Sequence, residues 1–118
     1  MRSDADRLGD ILESIARING RLTNDAAAFQ ADEMLQVWVI HHLQVIGEAT
    51  RGLSQSLREG YPEVPWPEII ALRNILVHEY FGLNMNQVWT MTQRDLPELE
   101  KQIQQIHSQI TAGPGSDR

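Results

Sequence analysis

The stretch Ile69-Ile70-Ala71-Leu72-Arg73-Asn74-Ile75-Leu76-Val77-His78-Glu79-Tyr80-Phe81 decides how the chain is read. It has no period-two alternation, so it reads as a helix and not as a strand. Ahead of it, Gly60-Tyr61-Pro62-Glu63-Val64-Pro65-Trp66-Pro67 holds three prolines in six residues and cannot continue a helix. Pro67 suits a first helical position, and Gly82 supplies a stop. The spacing therefore predicts a helix over 67–81. Apolar residues cover most of its circumference, which gives it a central place in the fold.

Arg73 is the anomaly on this helix. At ~100° per residue it falls between Ile69, Leu76, Val77 and Tyr80. A charge in an apolar arc is costly unless it has a partner. Tyr80 lies two turns from Arg73 on nearly the same face, and Asn74 and His78 are adjacent on the neighbouring face. Two readings fit this grouping. One is an internal polar network, with Arg73 paired to a buried carboxylate such as Glu48 or Glu79 and His78 bonded to Asn74. The other is a phosphate site. There Arg73 offers a planar fork, His78 a group that titrates near neutral pH, and Asn74 an orienting amide.

Outward from this helix the chain predicts helices only, in an all-α bundle of four to five main helices with short connections. Leu8, Ile11, Leu12, Ile15 and Ile18 form one stripe of a helix over 4–20. Thr23-Asn24-Asp25 is a capping cluster for a short turn through Phe29. A long helix over 32–53 is apolar on two faces, as in a central or interface helix. Within it His42 reads as a core or interface histidine bonded to a neighbour, and His41 as facing the polar side. A shorter helix follows Asn84. Asp95 caps a last helix with Pro97 in its first turn, carrying Leu96, Leu99, Ile103, Ile106 and Ile110 on one side. The domain is read as 1–111, with 112–118 a flexible tail.

Composition narrows the classes. The chain has 118 residues, no cysteine and a formal net charge of −6. Zinc-finger, disulfide-scaffold and thiol-enzyme chemistry are excluded. No apolar run approaches a membrane span, and the charged opening residues lack the apolar core of a signal peptide, so the cytoplasm is the expected compartment. An acidic protein does not attract polyanions through its average field, so binding to nucleic acid would need a local basic site. Neither a carboxylate cluster nor a His-x-x-x-His pair points to a bound metal, and no cofactor is expected.

Arg73-Asn74-Ile75-Leu76-Val77-His78-Glu79-Tyr80 resembles the Arg-x4-His-x-Tyr motif of the HEPN superfamily, in the form used by HepT toxins. Ile46-Gly47-Glu48-Ala49, Val64-Pro65-Trp66, Val88-Trp89 and Asp95-Leu96-Pro97 match in order around it, so the resemblance runs from about Leu8 to Ile110. The resemblance implies an all-α homodimer and a metal-independent endoribonuclease acting on RNA. It implies the toxin of a toxin–antitoxin module, type II or type VII-like, whose antitoxin is a minimal nucleotidyltransferase. It assigns Arg73 and His78 as the catalytic pair, Asn74 as a supporting residue and Tyr80 as the acceptor of AMP groups from the antitoxin.

One histidine per chain is too few for a reaction that moves two protons. A two-fold dimer with both motif helices at a shared cleft supplies the second. The expected dimer uses the motif-helix side, helped by the two-faced helix carrying Trp38 and His42. The rival readings are a catalytically silent HEPN domain that binds a nucleotide or the nucleotidyltransferase, and a plain helical dimerisation module.

Overall fold

The computed structural model describes residues 2–78 and 83–116, without the side chains of residues 77, 78 and 113–116. Among the described residues the regular structure is entirely helical: α1 Asp4–Arg21, α2 Ala26–Ala31, α3 Glu33–Arg51, α4 Gln55–Gly60, α5 Trp66–His78, α6 Met85–Thr90 and α7 Leu96–Ser116. A π-helical stretch, Met91–Asp95, joins α6 to α7.

Local chemistry sets most of the boundaries. Ser3 and Asp6 close a capping box ahead of α1: Asp6 N–H donates to Ser3 Oγ and Ser3 N–H to Asp6 Oδ2, each at 3.1 Å. Asp25 caps α2 by accepting from Ala27 and Ala28, and Asp32 caps α3 by accepting from Leu35. The apolar spacing predicts no element over 54–59. Ser54 starts α4 there by accepting from Leu57 N–H at 3.2 Å. The proline-rich connector is pinned by Trp66, which is buried and whose indole Nε1–H donates to the carbonyls of Tyr61 and Arg58 at 2.9 and 3.1 Å.

The α1 stripe is as the periodicity requires. Leu8, Ile11, Ile15 and Ile18 are wholly buried. Each such side chain contributes on the order of 1.5–3 kcal/mol by leaving water. The stripe packs on α3 and α7, and α3 also packs on α5.

Three expectations change. The middle of the bundle belongs to α3, flanked by α1 and α5, and not to α5. Ile69, Ile70 and Leu72 on α5 are only half-buried, and Ile75 is 45% exposed. Apolar periodicity reports that a surface avoids water, but not whether the cover comes from the same chain. Second, Asp95 caps nothing. It lies in the π-helical stretch, so the chain is helical without a break from Met85 to Ser116. Pro97 has no N–H to give to a continuous α-helix, and a wider turn ahead of it lets the helix run through. Third, α7 passes position 112. Ile110 is the last apolar side chain packed on the core, and a formed helix propagates beyond its last packed residue at one hydrogen bond per residue.

Candidate active site

The site is built where α3 and α5 come closest. Gly47 on α3 faces Arg73 on α5 so tightly that a Cβ at position 47 would coincide with the space of the Arg73 Cβ, 3.1 Å from its Cγ and 3.2 Å from its Cα. A glycine inside a helix costs roughly 0.5–1 kcal/mol relative to alanine. The close approach is what position 47 gains in return.

From that seat the guanidinium reaches two partners. Arg73 Nε lies 2.9 Å from Glu48 Oε2, and Nη1–H donates to Asn74 Oδ1 at 3.1 Å. The Arg73 side chain is 25% exposed, whereas Glu48 is 56% exposed. The carboxylate beside Arg73 is therefore Glu48, as one sequence reading allowed, but it stands at the surface and is not buried. Its other oxygen lies 3.8 Å from Arg51 Nη1. One turn earlier on α3, the Gln44 amide donates to the Leu76 carbonyl at 3.2 Å, tying the C-terminal part of α5 to α3. Gln44, Gly47, Glu48 and Arg51 thus make one stripe of α3 along the motif helix.

The structure brings Arg73 and Asn74 together, Asn74 being exposed. His78 is the last described residue of α5, and its side chain lies outside the described residues. Tyr80 and Glu79 lie outside them as well. Sequence reasoning missed Gln44 and the steric role of Gly47. A lone glycine in the middle of an otherwise strong apolar helix was the available signal for the second.

His42 is buried at 7% exposure, as expected, but the expected hydrogen bond is absent. Neither ring nitrogen has a partner among the described residues. The ring packs edge-on against Trp38, with centroids 4.5 Å apart, and against His41 at 4.9 Å. Trp38 has no donor left for it, because its Nε1–H already bonds the Arg17 carbonyl at 3.0 Å. Burial pushes the His42 pKa below the usual histidine value, and the charges of His41 and Arg17 add to this. His41 is exposed, as read. Trp38 turns toward α1, where its ring also stands 4.4 Å from Arg21 Cζ.

Beside the motif helix runs an open apolar groove of about 690 Å³ between α5 and α7, floored by Leu43, Ile46, Ile69, Leu72, Leu96 and Leu99. Among the described residues no group of three or more His, Asp or Glu side chains is placed to hold a metal ion, and no helix is long and apolar enough to cross a membrane.

Comparison with known proteins adds a lineage to this geometry. The family model described as ribonuclease HepT-like matches residues 11–106. "Putative RNase MJ1380" of Methanocaldococcus jannaschii is 37% identical over 106 residues, covering 82% of this chain and 90% of the relative. "Putative RNase TTE0752" of Caldanaerobacter subterraneus subsp. tengcongensis is 39% identical over 92 residues, covering 78% of this chain and 80% of the relative. "Probable ribonuclease HepT" of Thermococcus cleftensis is 33% identical over 107 residues, covering 89% and 96%. No solved structure matches the chain.

Proposed function

The chain belongs to the ribonuclease HepT-like family, and on that premise we propose that it is a metal-independent endoribonuclease with Arg73 and His78 as its catalytic pair. The observation that carries this reading is the partly exposed guanidinium of Arg73, held on α5 five positions ahead of His78. An arginine fixed in that way is suited to phosphate oxygens. Asn74 supports it by accepting from Nη1.

The chemistry follows from the residue types. The ribose 2′-oxygen attacks the adjacent phosphorus as a base removes its proton. The P–O5′ bond breaks as an acid protonates the departing oxygen. The products are a 2′,3′-cyclic phosphate and a free 5′-hydroxyl. Arg73 stabilises charge on the phosphorane oxygens, and a histidine performs each proton transfer. Two such transfers call for two histidines, which a two-fold homodimer supplies. The half-covered apolar face of α5, with Ile75 at 45% exposure beside the groove, supports such a partner.

The same reading makes the protein the toxin of a cytoplasmic toxin–antitoxin module. A minimal nucleotidyltransferase would then silence it by transferring AMP to the Tyr80 oxygen. The catalytic domain is taken as 1–111, since Ile110 is the last apolar residue packed on the core. One observation favours the alternative of a silent nucleotide- or nucleotidyltransferase-binding domain: Glu48 already offsets the charge of Arg73. The test is incubation of the purified protein with RNA in excess chelator, followed by end analysis. Cyclic-phosphate and 5′-hydroxyl ends support the enzyme. RNA left intact supports the silent domain.

A further inference from the structure

The contacts of Arg73 fix more than its position. A guanidinium has five N–H donors. Among the described residues one Nη1–H is given to Asn74, and Nε stands in an ion pair 2.9 Å from Glu48 Oε2, so the other Nη donors are not engaged by either contact. The stem of the side chain is seated against Gly47 on α3, where nothing larger than hydrogen fits. The other carboxylate oxygen of Glu48 lies 3.8 Å from Arg51 Nη1. An arginine packed at its stem, paired at Nε and bonded at one Nη is restricted in its swing about its last bonds.

We propose that Glu48 is a positioning residue for RNA cleavage: anchored on α3 next to Gly47, it holds Arg73 by Nε and aims the free Nη donors at the scissile phosphate. This rests on the ribonuclease reading above. Its consequence runs against simple charge counting. A carboxylate beside a phosphate site repels the substrate, so its removal should strengthen RNA binding. If Glu48 is an anchor, its removal also frees the guanidinium, and a misplacement of about 1 Å at a reacting centre can cost about a hundredfold in rate.

The test uses the full-length protein and one RNA substrate under single conditions. Glu48→Ala should lower kcat by about ten- to a hundredfold while KM stays level or falls. Glu48→Gln keeps an acceptor oxygen at the same reach but loses the charge of the ion pair, so it should recover only part of that loss. A structural role alone would instead lower the melting temperature and reduce the active fraction in proportion. A folded Glu48→Ala protein with undiminished kcat overturns the proposal. So does a Glu48→Gln protein no better than Glu48→Ala. A second readout is the Arg73 Nε–H resonance in ¹H–¹⁵N spectra, assigned by its loss in Arg73→Lys. It should move in Glu48→Gln, and a resonance that stays in place overturns the anchor whether or not Glu48→Ala folds. The two readings fail separately. A wild-type protein that cuts no RNA removes the ribonuclease reading and the catalytic role of Glu48 with it. An active wild type with an equally active Glu48→Ala variant removes only the positioning role.

Discussion

Arg73 lies so close to Gly47 that the two helices carrying them have no room for a methyl group between them. Gly47→Ala sets two effects against each other. Alanine favours the helix by roughly 0.5–1 kcal/mol, whereas forcing a methyl into a filled contact costs typically about 1–3 kcal/mol. The contact here is with the Cβ and Cα of Arg73 as well as Cγ, and not with the far end of a flexible chain, so the steric cost wins. Urea unfolding should show a less stable Gly47→Ala protein. A more stable one would mean that α5 does not sit this close to α3.

His42 should make stability depend on pH. Its pKa in the folded protein is lowered from the ordinary 6.5, chiefly by burial. The unfolded chain therefore takes up the proton more readily than the folded one, and the folded state loses ground as pH falls. Stability should be full above the ordinary histidine range and decline as pH drops through about 6.5 and below. Glu13, Arg17 and His41 are the other charged or titratable groups acting on this ring, and Glu13 opposes the shift. Unfolding free energies measured across that range should fall more steeply in the wild type than in His42→Phe. Parallel curves would show that His42 is not the group responsible.

Ile75 offers the most direct test of the dimer. It is 45% exposed on the motif helix and borders the apolar groove. Ile75→Asp should leave the helical content unchanged while shifting the sedimentation coefficient from dimer to monomer at micromolar protein, with cleavage lost in parallel. A wild type that sediments as a monomer, or a fully active monomeric variant, would refute the shared cleft.

Tyr80 carries the proposed regulation. A phenol is a hydrogen-bonding group until an enzyme removes its proton. Each AMP added would bring a phosphodiester charge and a nucleoside to a position two residues beyond His78 in the chain. Co-expression with a minimal nucleotidyltransferase should give mass increments of whole AMP units that vanish in Tyr80→Phe. Increments that persist in that variant, or that map to Tyr61, would overturn the assignment.

Much of this was legible in the residues. The α1 stripe, a cap within Thr23-Asn24-Asp25 and the need of Arg73 for a carboxylate partner follow from spacing and from the cost of an unpaired charge, whereas the choice of an exposed Glu48 does not. What stayed hidden depends on the third dimension. The periodicity of 69–76 could not say that Ile69, Ile70, Leu72 and Ile75 would be left partly exposed, because periodicity does not report what covers a face. The run from Met85 to Ser116 looked broken at Asp95 and Pro97, because aspartate and proline mark a helix start when no wider turn is foreseen. The hydrogen bond expected of His42 is one that its aromatic neighbours do not provide. Nor does a sequence disclose that Gly47 stands opposite Arg73.

The central claim is that Arg73 and His78 cut RNA together, and one comparison tests it most directly. Wild type, His78→Ala and Arg73→Lys would be followed on the same labelled RNA in chelator, with thermal melts on each. General acid–base help is worth about 10²–10⁴-fold, so a folded His78→Ala protein should lose cleavage by that order. Arg73→Lys should lose most activity although its charge is kept, because an ammonium lacks the planar fork. A well-folded His78→Ala protein that still cuts RNA at the wild-type rate would contradict the account.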